Sequence, residues 1–129
     1  RAEADEAARE AAPMGAPVVG WLVVTAGPGR GAAVSLMSGM NSVGRDDSNA
    51  ARVDFGDDTI SRSAHAFVTY DHEGRTFHLS HAGQTNVIRL NDKPVLAPTE
   101  LSHGDMVRIG ATTLRFVALC GPDFDWSDA

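Results

Sequence analysis

GRDDSNAARVDFGDDTISRSAHAFVTY, residues 44–70, puts an arginine on one polar loop and two serines and a histidine on the next. The short runs ARVDF (51–55) and AFVTYD (66–71) are β-branched and aromatic, with apolar and polar positions alternating, as half-buried strands require. Between them, DDSN and FGDDT supply turn residues rather than helix formers. Taken singly, Gly44-Arg45 is a strand end with a solvated arginine, and ISRSAH is a polar loop. Brought together, a guanidinium and hydroxyls on neighbouring loops form a donor set suited to an oxyanion such as phosphate.

The same texture extends outward on both sides. Further strands are expected at 18–25, 32–37, 41–45, 75–80, 87–91, 94–96, 106–110 and 112–120. Turn clusters separate them: GPGRG (27–31), DHEG (71–74), NDKP (91–94) and HGD (103–105). Close spacing of many short strands predicts an all-β sandwich or barrel. In the last strand Leu114, Phe116 and Ala118 share one face, opposite Arg115 and Val117. Residues 1–17 read as a flexible or short helical extension, because the Ala/Glu/Arg run carries no apolar stripe beyond alanine and Pro13 and Pro17 end it. Residues 120–129 form an acidic tail, and its Phe124 and Trp126 are expected to dock on the sandwich rather than face water.

Composition bounds the function. With 129 residues, 43% apolar and 22% charged, the chain has the material for one globular domain with its own core. The net charge of −6 lies mostly in the ends, −2 in residues 1–12 and −3 in 123–129, so the body is nearly neutral. A local basic pocket fits that distribution; a broad nucleic-acid face does not. The longest apolar run, VVGWLVV (18–24), is strand length, and no membrane insertion is expected. The lone Cys120 fits a reducing compartment, and a cytoplasmic location is expected. The chain opens on Arg1 rather than Met and is expected to be a piece of a longer protein.

Other chemistries are poorly supported. GPGRG lacks the Lys-Ser/Thr of a phosphate-binding loop and reads as a hairpin turn. The five histidines sit on separate turns or on opposite strand faces, so neither a metal nor another cofactor is expected. Ser61, Ser63 and His65 have no nucleophile elbow and no acid placed to orient the histidine, so no enzymatic activity is expected.

Four segments in register, SVGRDDSN (42–49), DDTISRSAHAFV (57–68), QTNVIRLN (84–91) and LSHGDMVRIGATTLRF (101–116), resemble the forkhead-associated (FHA) domain over residues 18–119. The resemblance implies a β-sandwich of about eleven strands with functional loops at one end. It implies a signalling adaptor that binds phosphothreonine peptides, docking in trans a partner modified by a serine/threonine kinase. Carried across by position, Arg45 is expected to hold the phosphate. Ser61 supplies a hydroxyl, Arg62 a backbone N–H and its guanidinium, Thr85 a second hydroxyl or backbone donor, and Asn86 a grip on the peptide backbone. Gly44 and His65 are expected to support the site, by close chain approach and by bracing the loop.

The chain departs from the family pattern in three places. Ser61 precedes His65 by four residues, one more than usual, so either Ser61 keeps its role or Ser63 takes it over. Val87 stands where glycine usually follows the Thr-Asn pair, and His81, Ala82, Gly83 and Gln84 replace the usual lead-in to that pair. The alternative function is a phosphate-independent interaction or assembly module on the same scaffold. Neither tail contains a threonine, which points to a ligand on another protein.

Overall fold

The computed structural model describes residues 17–83 and 87–128. Among the described residues, eleven strands form two sheets. The first sheet contains β1 (Val18–Ala26), β2 (Ala33–Met37), β7 (Arg89–Leu90), β8 (Lys93–Pro94), β10 (Met106–Ile109) and β11 (Thr112–Ala118), in the order β2-β1-β11-β10-β7-β8. The second contains β3 (Gly39–Gly44), β4 (Ala51–Arg52), β5 (Ala66–Asp71), β6 (Thr76–His81) and β9 (Thr99–Leu101), in the order β4-β3-β5-β6-β9. All neighbours are antiparallel except β3 and β4, which run parallel.

Side-chain alternation builds the core. Leu22 and Val24 on β1, Leu114 and Phe116 on β11, Val68 and Tyr70 on β5, and Phe77 and Leu79 on β6 are each at most 3% exposed. They turn inward from the two sheets to make one apolar layer. Tyr70, Phe77 and Phe116 stack across it with ring centroids 4.5 and 4.7 Å apart. Among the described residues, no helix is long and apolar enough to cross a membrane.

Several expected strands are shorter. The segment at 51–55 keeps ladder geometry only at Ala51–Arg52, and that at 87–91 only at Arg89–Leu90. Positive φ at Asn91 (50°) and Asp92 (71°) turns the chain immediately after β7, which leaves β8 as Lys93–Pro94 instead of 94–96. The final strand ends at Ala118, because the Leu119 and Cys120 N–H groups both turn to the Val19 carbonyl. Strand β9 was not expected: Thr99 and Glu100 are exposed and only Leu101 is buried.

The tail lies across the sheet ends. Tyr70 donates its hydroxyl to the buried Asp125 carboxylate, and the Trp126 indole N–H donates to the Val18 carbonyl at 2.7 Å. Phe124 packs against the core and makes an edge contact with Trp126, which remains 52% exposed. Of the N-terminal extension, residues 1–16 lie outside the described residues.

Candidate functional site

Strand β3 ends at Gly44, and the two loops that follow β3 and precede β5 meet above it. They are stitched by backbone bonds: Arg45 N–H to the Ser61 carbonyl and Asp46 N–H to the Arg62 carbonyl, both 2.9 Å. His65 N–H donates to Val43 at 2.7 Å, and Val53 N–H donates to Gly44 at 2.8 Å. The first loop and the Ser-His loop therefore continue the β3–β5 ladder past the end of the sheet.

Gly44 makes the contact possible. A Cβ there would lie 2.4 Å from the Ser63 carbonyl oxygen and 2.7 Å from the Asn49 amide nitrogen, far inside contact distance. Asn49, 8% exposed, donates that amide to the carbonyls of Asp46 (3.0 Å) and Arg62 (2.9 Å), so one side chain bridges both loops.

Arg45 is half-buried, and its Nε donates to the Ile60 carbonyl at 2.6 Å. That bond fixes the guanidinium beside the Ile60–Ser61 peptide. Among the described residues, the guanidinium makes no ion pair, with Asp46, Asp47 or any other carboxylate, and its two terminal nitrogens have no hydrogen-bond partner. Arg52 lies nearby but is engaged elsewhere, donating Nε to the Arg45 carbonyl at 2.9 Å and forming an ion pair with Asp54 at 3.0 Å.

Ser61 is held at both ends of its backbone. Its carbonyl receives the Arg45 N–H, and its own N–H donates to His65 Nδ1 at 3.0 Å. Arg62 and Ser63 are exposed, with the Arg62 carbonyl on Asn49 and Asp46 and the Ser63 carbonyl over Gly44. The Arg45 side chain thus bonds the residue preceding Ser61, while the Ser63 carbonyl faces Gly44. Thr85 and Asn86 lie outside the described residues.

His65 is fully buried. Burial, with a smaller push from the charge of His81, lowers its pKa from the ordinary value, against a weaker pull from Asp57. Since Nδ1 accepts from Ser61, the neutral ring carries its proton on Nε2, a buried atom without a partner among the described residues.

Asp57 fixes the other side of the Ser-His loop and has no role in the sequence reading. Its carboxylate accepts the Thr59 N–H and hydroxyl on one oxygen, and the Ala111 N–H (2.9 Å) and Thr112 hydroxyl (2.6 Å) on the other. Burial pushes its pKa up, but hydrogen bonds from Thr112, Thr59 and Ala111 outweigh this and hold it below the ordinary value. Gly110, at φ 56°, leaves room for the arrangement, since a Cβ would sit 2.4 Å from the Thr59 hydroxyl. Asn49 was likewise given no role. For both, the only trace in the sequence is their place inside the motif segments.

The model of the FHA domain family matches residues 41–110, more than half of the chain, and the chain belongs to the FHA family. Among solved structures, an FHA domain solved for phosphothreonine-dependent FHA interactions is 27% identical, with a TM-score of 0.64 over 77% of this chain and 95% of that one. The FhaA FHA domain, solved in complex with the intracellular domain of Rv3910, is 28% identical, with a TM-score of 0.62 over 75% and 98%. The FHA domain of CT664 from Chlamydia trachomatis is 26% identical, with a TM-score of 0.65 over 77% and 96%. No curated protein matches the chain significantly.

Proposed function

We propose that the chain is a phosphothreonine-peptide-binding adaptor that docks, in trans, a partner phosphorylated by a serine/threonine kinase. One observation carries the reading: Arg45 is oriented by the Ile60 carbonyl, next to the Ile60–Ser61 peptide, while its two terminal nitrogens remain unpaired among the described residues. A phosphothreonine is close to a dianion above its second pKa of about 6 and offers three acceptor oxygens. The Arg45 fork supplies two charged donors, the Ser61 hydroxyl a third, and the exposed Arg62 supports the positive field. Thr85 and Asn86 are assigned to the second hydroxyl and the backbone grip from the family pattern alone. Gly44, Asn49 and His65 hold the loops without touching ligand.

Hydrogen bonds to charged groups contribute about 1.5–3 kcal/mol each, so three or four supply roughly 5–10 kcal/mol. Micromolar binding needs about 8 kcal/mol after ordering costs. The phosphate is therefore barely sufficient, and flanking residues of the peptide must contribute.

The test is a titration of matched phosphothreonine and threonine peptides against the wild type and Arg45→Ala. The wild type is expected to bind only the phosphorylated form, and the variant to lose at least about tenfold, the equivalent of one charge-assisted bond. Equal binding of both peptides, or no effect of Arg45→Ala, would favour a phosphate-independent assembly module.

A further inference from the structure

Arg89 on β7 and Arg108 on β10 are direct cross-strand partners, and Arg108 faces Thr113 of β11 on its other side. Like charges placed opposite each other destabilise a ladder, so the pair calls for a neutralising group. Among the described residues no carboxylate pairs with either, although Asp92 lines the hollow they share. Among those same residues, Arg89 donates only to the Asp92 carbonyl, at 3.3 Å. The two side chains line this hollow of about 200 Å³ with Asn91, Asp92, Met106 and Thr113.

Arg108 also walls a second, more open groove of about 690 Å³, shared with Asp58, Thr59, Val87, Gly110 and Ala111. Thr59 lies two residues before Ser61, and Val87 directly follows Asn86. The groove thus includes residues next to the phosphothreonine loops in the sequence and shares Arg108 with the hollow of the arginine pair. Asp58 also lines this groove, which disfavours an acidic group beside it.

We propose that Arg89 and Arg108 form a second anion site that takes a further acidic group of the bound peptide, a carboxylate or a second phosphate. The inference rests on the phosphothreonine reading above. Arg108, exposed and unpartnered among the described residues, is the specificity-determining residue, and half-buried Arg89 holds the field from the adjacent strand. The Thr113 hydroxyl is placed to complete the donor set.

The experiment uses an alanine-based phosphothreonine peptide in which one Asp is moved through the flanking positions on both sides, measured by fluorescence anisotropy. One position is expected to tighten binding to the wild type about three- to tenfold, a range between exposed ion pairs and well-formed charge-assisted bonds. Arg108→Ala should abolish that gain while keeping the preference for phosphothreonine over threonine. Arg108→Glu should restore it for a peptide with Lys at the same position, a result that loss of folding cannot mimic. Phosphoserine at that position distinguishes the sources: binding tighter than with Asp indicates a second phosphate, and equal binding an acidic side chain. A flat Asp scan with phosphothreonine preference and Arg45 dependence intact overturns the second anion site and leaves the first reading standing. Loss of phosphothreonine preference in the wild type overturns both.

Discussion

His65 works as a buried acceptor, and that sets its response to acid. Protonating Nδ1 would remove the lone pair that receives the Ser61 N–H. An unfolded imidazole takes its proton near pH 6.5, while burial lowers the folded value. The brace is therefore fully present above that pH and is lost as pH falls through the lower folded pKa. Exchange protection of the Ser61 amide, corrected for intrinsic rate, should fall as the pH is lowered below about 6.5; unchanged protection on acidification would contradict the assignment of Nδ1 as acceptor. Histidine, arginine and serine could be read at this scale because their types and spacing survive in the sequence. Asn49 could not. Its amide works by reaching the Arg62 carbonyl thirteen residues away, a contact that no local pattern reports.

At the scale of elements, the turn before Ile60 and the β10–β11 turn behave as one unit joined through Asp57, 54 residues from its partner Ala111. Asp57→Ala leaves the buried Thr112 hydroxyl without its acceptor and the Ala111 N–H with only the Thr59 hydroxyl, at 3.2 Å. The expected loss is about 2–4 kcal/mol, seen as a lower urea midpoint at unchanged slope. A loss below about 0.5 kcal/mol would mean that water replaces the carboxylate at no net cost. The strands that alternate over six or more residues, β1, β5, β6 and β11, were legible because burial on one face imposes a period of two. Those of two or three residues were legible only in part: β4, β7 and β8 lie within or overlap expected strands whose bounds differ, and β9 was not expected. A pair such as Lys93–Pro94 has too few positions to show a period, and β9 follows Pro98 with two exposed polar residues. Turn geometry and neighbouring strands define these short elements, and neither can be read locally.

Over the whole molecule, the tail and the loops around Arg45 and His65 occupy opposite poles. Gly39–Tyr70 and Asp71–Thr76 pair at the end where the tail lies, and Val43–Ala66 and Ile109–Thr112 at the end that carries the loops. Charge adds to the ring contacts that hold the tail. Hydrogen bonds from the Tyr70 hydroxyl, and then from the Ser127 hydroxyl and N–H, keep Asp125 down to about 2 against an ordinary 3.8. Asp128 pairs with Arg75 alongside it. Because the folded pKa is depressed, this stabilisation is complete above the unfolded value and disappears as pH falls through about 2. The Trp126 indole N–H resonance should hold its position from neutral pH to about 4 and move toward that of a free peptide below it. Asp125→Asn should shift it at neutral pH. A resonance that is unmoved in the variant would show that the rings, and not the carboxylate, anchor the tail.

The separation of the poles also bears on how many copies could act together. Molecules tethered through Asp128 to a bead or a membrane mimic would all turn their Arg45 loops toward the bulk solution, with none masked by its own attachment. An array of this kind could engage a multiply phosphorylated partner with an avidity set by tether length and spacing rather than by any new contact.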